Sequence, residues 1–381
     1  MTDSSKIHIK VVLLRSNPVT YDVRVLKEAK IFLDNGYSVS ILGWDRENKF
    51  NFHDSIDGIA VDRIKICSSY GSGIKNIWPL LKWQFAEFLY LLKHDFDIVH
   101  ACDFDTAIPA YIAARLKRKK VIYDIFDFYA DSLIKVPNIF KKLITKIDLF
   151  LIRHVDGVIL CDEFRKEEIN YHKNSVCVFY NTPEDLFLVL QQRYNNIKDQ
   201  VFTLCYIGYL DNRLRDLTQF IRTVNKFEDI VLKIGGSGPS EKEIVEEARK
   251  FPCIKFLGRL NYEKALEEEF KSDAIVCPYN PAFRANIYAS PNKLFEAMML
   301  ARPIMINDGI KISGMIKQYN IGVLFKYGDI ESIKDAILKL QENKELRQRM
   351  GQNARKLYEV KYSSFKNEHT LINLYKHLLN I

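Results

Sequence analysis

The chain has 381 residues, of which 48% are hydrophobic and 27% charged, and it carries a net charge of +8 at pH 7. That length suits two domains better than one core, and the composition is that of a folded soluble enzyme, not of a disordered or fibrous chain. The excess charge lies in the second half and favours anionic partners, but no zinc-finger spacing, aromatic-basic RNA motif or helix-turn-helix accompanies it, so nucleic acid is not expected. No apolar run reaches the roughly 18–20 residues that span a bilayer. Met1–Lys6 lacks the apolar core of a signal peptide. Seven scattered cysteines without a CxxC pair suggest reduced thiols and a cytoplasmic protein.

Strand and helix patterns alternate along the chain, which predicts a mostly parallel sheet covered on both faces. Residues Ile7–Leu14 form an apolar run of strand length, and Val25–Asn35 has helical periodicity ending at Gly36. Strands follow at Tyr37–Leu42, Ile98–His100 and Val121–Tyr123, with a helix through Ala107–Leu116. Further strands are predicted at Gly157–Leu160 and Val176–Phe179. A polar connection near residues 180–200 then interrupts the pattern. It restarts at Thr203–Ile207 and continues through Ile230–Ile234, Ile254–Leu257, Ala274–Cys277 and Pro303–Ile306. Two doubly wound units are predicted, with the chemistry at the carboxyl ends of their strands, in the cleft between them. The expected division is 1–182, a linker at 183–200, a second unit at 201–355, and terminal helices at 356–381.

The segment Tyr288–Ile306 is the most informative. Ser290-Pro291-Asn292 opens a short helix in which Leu294, Phe295, Met298 and Met299 recur at helical spacing. A helix N-terminus presents unpaired amides and a positive dipole end to an anion. Lys293 adds a cation in the first turn, where a purely structural helix favours an acid. Glu296, one turn on, can receive a pair of sugar or ribose hydroxyls. The competing structural account is a Ser-Pro cap completed by Glu296.

Taken in order, these segments resemble glycosyltransferase family 4, the group 1 transferases. Asp22–Lys30 with Asn35–Val39 is similar to one subgroup's first helix and second strand, and Asp97–Asp103 to the strand ending in an acceptor-side Asp. Tyr123–Asp127, Tyr206–Leu210, Ile234–Pro239, Phe256–Leu260 and the Ser-Pro-Asn-Lys-Leu-Phe-Glu stretch 290–296 carry the rest. The resemblance implies a GT-B fold, α/β with two Rossmann-like domains, and a retaining, metal-independent transfer of sugar from a nucleotide diphosphate donor. No cofactor is implied beyond that donor substrate, with UDP-sugar preferred and GDP-sugar next.

The resemblance also implies site residues. Asp127, Asp103, Lys293 and Arg213 stand in the catalytic set. Donor binding falls to Glu296, Asn292, Pro291, Ser290, Leu294, Arg215, Gly236, Gly238, Gly258, Leu260, Tyr288 and Arg24. Spacing does not choose between Arg213 and Arg215 for the phosphate. Asp103-Phe104-Asp105 has the spelling of a metal motif, but its acceptor-side position argues against a metal. Two departures stand out: Tyr288 occupies the place of the family's first signature Glu, and Phe126 that of an acceptor-side His. They leave open a catalytically silent sugar-nucleotide-binding partner, and a UDP-sugar 2-epimerase is the other alternative of this fold.

Ile74–Phe85 and Val136–Lys146 are aromatic and basic. Each suits either a core-facing helix with a solvated Lys face or an interfacial segment on an anionic membrane. The second option would place the protein at the inner face of the membrane, with a polyprenyl-linked or other lipid-linked glycan as acceptor.

Overall fold

The computed structural model describes residues 9–20, 22–69, 76–133, 136–169, 175–194 and 201–381. Ile7 and His8, Ile74 and Lys75, and residues 195–200 of the expected linker lie outside the described residues. The chain divides into two compact units, Met1–Phe179 with Glu368–Ile381, and Tyr180–Asn367.

The first unit is built on β1 (Lys10–Arg15), β2 (Ser38–Asp45), β3 (His53–Ile56), β4 (Ile59–Lys65), β5 (Ile98–Cys102), β6 (Lys120–Ile125), β7 (Gly157–Leu160) and β8 (Val176–Val178). Their order across the sheet is β3-β4-β2-β1-β5-β6-β7-β8. Every pairing is parallel except β3 with β4. The central strands read as continuous apolar runs because helices cover both faces: β5 is buried at every residue. The helix Val23–Asp34 starts at Asp22, whose carboxylate accepts from the Val25 amide, and is followed by Gly36 at φ +82°. The last helix, Ser364–Leu379, supplies Leu371, Ile372, Leu374, Tyr375 and Leu378 to the core formed by Val11, Leu13, Ile98 and Ile122. The Tyr375 hydroxyl lies 2.7 Å from His100 Nδ1 inside that core.

The second unit holds β9 (Phe202–Tyr209), β10 (Ile230–Ser237), β11 (Ile254–Gly258), β12 (Ala274–Cys277), β13 (Ile304–Asn307) and β14 (Gly322–Phe325), in the order β11-β10-β9-β12-β13-β14. All five neighbouring pairs run parallel. In both sheets the strand order reverses beside the first strand of the unit, between β1 and β5 and between β9 and β12. Ligands of doubly wound sheets settle outside the strand ends at such a reversal.

Three strands have no counterpart in the sequence-based expectations. β3 is exposed and polar, β4 alternates in burial at a sheet edge, and β14 has only four residues. A helix, Phe187–Tyr194, occupies part of the segment expected to be a linker. β10 runs on through Gly235 and Gly236 to Ser237, beyond the expected end at Ile234.

Candidate functional site

In the second unit the reversal lies between the ends of β9 and β12, and the ionisable candidates come from three helices, Asn212–Arg215, Tyr262–Phe270 and Asn292–Met299. The helix Asn292–Met299 begins after Pro291 in extended conformation, and no side chain caps its start. Its apolar face, including Leu294 and Phe295, is fully buried, which fixes the first turn against the sheet. Lys293 Nζ lies 2.6 Å from Glu296 Oε2 and 2.6 Å from Glu269 Oε1. Glu296 is 2% exposed and Glu269 0%. Burial pushes the Glu269 carboxyl up to about 8, against the pull of Lys293 and with the push of Glu296. A Glu269 carboxyl held toward its protonated form opposes the Lys293 ammonium less than an ionised one would. Burial and the Glu296 charge also raise the Tyr262 phenol. That places Tyr262, at the start of the helix Tyr262–Phe270, beside the same carboxylate.

Arg215 and Arg213 are separated by their surroundings. Arg213 is 66% exposed in its side chain and folds back on Asp211, with Nη2 to Oδ2 at 2.7 Å. Arg215 lies over the Tyr279 ring at 3.7 Å and donates from Nη1 to Asn286 Oδ1 at 3.2 Å. Arg215, Lys293, Glu296 and Glu269 all lie within electrostatic reach of Cys277, the last residue of β12. Two cations, Arg215 and Lys293, thus act on the thiol at the end of β12.

The other donor-side expectations are placed as follows. Ser290 is half-buried before the helix, and Asn292 is exposed on its first turn. Leu294 contributes core packing, and its amide already donates to Pro291 O. Gly236 has φ +127°, and a Cβ there would meet Gly208 O at 1.8 Å; at Gly238 it would meet Leu210 O at 2.4 Å. Those two glycines are thus required by the close approach of the β9 and β10 ends. Gly258 sits at φ +69° beside open space, and Leu260 packs with Cys205, Ile207 and Ala265. Tyr288 ends the turn Arg284–Ile287, with the Arg284 guanidinium 5.3 Å and the Lys311 ammonium 5.6 Å from its ring.

In the first unit the reversal lies between β1 and β5. Asp103 follows β5 with φ 68° and ψ 169°, a region that is essentially restricted to glycine and costs of order 1–3 kcal/mol. Its carboxylate accepts from the Phe126 amide at 3.0 Å and from Arg15 Nη1. Arg15 Nε is also 2.7 Å from Asp22. Asn17 bonds the same Asp22 at 2.8 Å and holds the Val19 amide at 2.7 Å. Val19 has φ 69° although it is β-branched, so two strained residues flank the reversal. Burial raises the Asp103 carboxyl against the opposing effect of Arg15. Asp127 is 63% exposed in its side chain and pairs with Arg165 at 2.6 Å.

Arg24 is placed differently from the donor-binding role expected of it. It is 8% exposed, holds Asp124 through Nε at 3.1 Å and Nη2 at 2.8 Å, and donates from Nη1 to Phe179 O at 2.8 Å. Glu28 lies a further 3.1 Å from its Nε. These partners make Arg24 a core residue of the first unit. Sequence reasoning missed Glu269, Tyr262, Tyr279 and Asn286 in one unit and Arg15, Asn17 and Asp22 in the other. Glu269 ends the run Glu267-Glu268-Glu269, where only the apolar neighbours Ala265, Leu266 and Phe270 mark the buried face.

Comparison with known proteins bears on these assemblies. Residues 190–357 match the family model of glycosyl transferases group 1. An uncharacterised glycosyltransferase of Methanocaldococcus jannaschii is 24% identical over 335 residues, 81% of each chain. Sucrose-phosphate synthase from Thermosynechococcus elongatus superposes with a TM-score of 0.78 at 12% identity, covering 98% of this chain and 99% of its own. The HepE protein of Anabaena, solved in complex with UDP and glucose, gives 0.70 at 13% identity over 97% and 100%. The fold is GT-B, and the matches support a glycosyltransferase of the group 1 type.

Proposed function

We propose that this chain is a glycosyltransferase of the group 1 type, which moves a sugar from a nucleoside diphosphate donor to a glycan or lipid-linked acceptor with retention of configuration. Lys293 in the uncapped first turn of helix Asn292–Met299, with Arg215 acting on the same β12 end at Cys277, supports this reading. As the acceptor oxygen bonds to the anomeric carbon, the bond from that carbon to the β-phosphate oxygen breaks. The leaving diphosphate takes the electron pair, and preorganised cations lower the barrier by meeting that charge where it develops. Lys293 and Arg215 supply those charges, so the transfer is proposed to proceed without a metal.

Glu296 accepts the ribose hydroxyls in this scheme, and Tyr262 orients its carboxylate. UDP is the favoured base because HepE was solved with UDP and glucose, as was an Escherichia coli trehalose-6-phosphate protein with UDP-2-fluoroglucose. Asp103, held by Arg15 in a strained backbone, is the group proposed to receive the acceptor hydroxyl's proton. Asp127 assists in orienting that hydroxyl. The site is assigned to the cytoplasm, where sugar nucleotides are made.

A panel of UDP-, GDP- and ADP-sugars, read by nucleotide release and by thermal shift, tests the scheme. One base class should both stabilise the protein and be released on turnover. Binding without release, even with a broad set of glycan acceptors, would identify a silent partner subunit. An epimerised donor would identify a 2-epimerase, and the absence of any binding would overturn the assignment.

A further inference from the structure

Three helices of the first unit carry an inverted pattern. The helix Phe104–Lys117 packs against both Ile77–Lys93 and Asn138–His154, so the three form one layer. Helix Ile77–Lys93 turns Trp83, Glu87, Tyr90 and Leu91 inward. Its outward stripe is Trp78 at 74% exposure, Leu81 at 49%, Phe85 at 62%, Leu89 at 38% and Leu92 at 40%. Those positions follow helical spacing, so the solvent side is the apolar one, contrary to the ordinary surface helix. On the neighbouring helices Leu116 is 65% exposed, and Ile139, Phe140 and Leu143 are 73%, 56% and 54% exposed. So many exposed large apolar side chains on one helix layer mark an interaction site.

The charges on the same layer have one sign. The three helices contain eight Lys and Arg residues and three acids, and all three acids, Glu87, Asp105 and Asp148, are buried. Lys82, Lys93, Arg115, Lys142, Lys146 and Arg153 are exposed. A second copy of the chain would bring these cations against one another, which disfavours self-association. An anionic bilayer surface answers both features, with Trp and Phe at the acyl boundary and Lys among headgroups. Among the described residues no helix is long and apolar enough to cross a membrane, so the layer would lie on the bilayer and not span it.

We infer that this layer docks the protein on an anionic membrane surface. The docking is independent of the donor assignment, because none of its residues belongs to the donor or acceptor groups described above. The test uses the full-length protein with vesicles of phosphatidylcholine alone and of phosphatidylcholine mixed with phosphatidylglycerol. Cosedimentation should occur with the mixed vesicles, weaken as salt is raised, and be slight with phosphatidylcholine alone. Trp78 reports directly, because the other two tryptophans, Trp44 and Trp83, are fully buried; its emission should shift to shorter wavelength on binding.

Trp78→Ser combined with Phe85→Ser, and Lys142→Glu combined with Lys146→Glu, should each lose at least about tenfold in vesicle affinity. Both variants should keep the wild-type melting temperature, since the altered side chains are exposed, and their nucleotide binding without vesicles should be unchanged. Wild-type protein that ignores anionic vesicles would overturn the inference. So would variants that bind them as well as wild type, or a dimer of the wild type that both variants dissociate.

Discussion

The two units share one architecture but differ in how they use their buried cations. In the first, Arg24 is enclosed by Asp124, Glu28 and the Phe179 carbonyl, and its guanidinium is satisfied within the protein. In the second, Lys293 sits in an equally tight carboxylate pair, yet its side chain stays 17% exposed at the strand reversal. One of those partners, Glu269, is raised toward the neutral form. A buried ion pair closed on all sides specifies a core, whereas one left partly open to solvent can serve a ligand.

That contrast is broken or sharpened by substitution. Arg24→Met leaves the buried Asp124 and Glu28 without their guanidinium partner, and should cost about 3–5 kcal/mol of stability, read by urea denaturation. A stable Arg24→Met protein that lost donor affinity would reverse the assignment of roles. Deleting residues 365–381 removes core side chains of the first unit and should also destabilise it strongly, although no donor-side residue is lost. Wild-type melting of the truncated protein would count against the packing of the last helix.

Smaller effects separate the two arginines that follow β9. Arg215→Met should weaken binding of the preferred nucleoside diphosphate by about 1.5–3 kcal/mol. Arg213→Met should change it by less than about 0.5 kcal/mol, since that side chain is exposed and already paired. Equal losses in both, measured by calorimetry, would show that the diphosphate contacts the exposed arginine as well.

The smallest expected effect is a pH dependence. The folded-state value of Glu269, about 8, is above its unfolded one. Its contribution to stability is therefore complete below about pH 4.5 and lost as pH rises through 8. Ionisation also adds a negative charge beside Lys293, so diphosphate affinity should fall several-fold across the same upper range. Glu269→Gln should flatten that profile; an unchanged profile would place the titrating group elsewhere.

Much of this arrangement was legible in the sequence. The strands at the centres of both sheets show as apolar runs because they are buried on both faces, as β5 is throughout. The edge strands β3 and β4 do not, since one side of each meets solvent and their residues alternate or are polar. Lys293 and Glu296 were readable because they share one helix turn. Glu269 comes to them from another helix, and Tyr279 meets Arg215 only because β9 and β12 pair side by side. Arg24 illustrates the converse: its motif is plain in sequence, but its complete enclosure by Asp124 and Phe179 depends on the tertiary structure.

The ribose contact of Glu296 gives the most direct test of the donor site. Calorimetry would compare the preferred nucleoside diphosphate with its 2′,3′-dideoxy analogue on wild-type protein and on Glu296→Gln. Wild type should favour the ribose form by about 1.5–3 kcal/mol, roughly 10- to 150-fold, and Glu296→Gln should lose most of that preference at unchanged melting temperature. A wild-type protein indifferent to the hydroxyls, or a variant that discriminates as well as wild type, would mean that Glu296 serves only its own helix and Lys293.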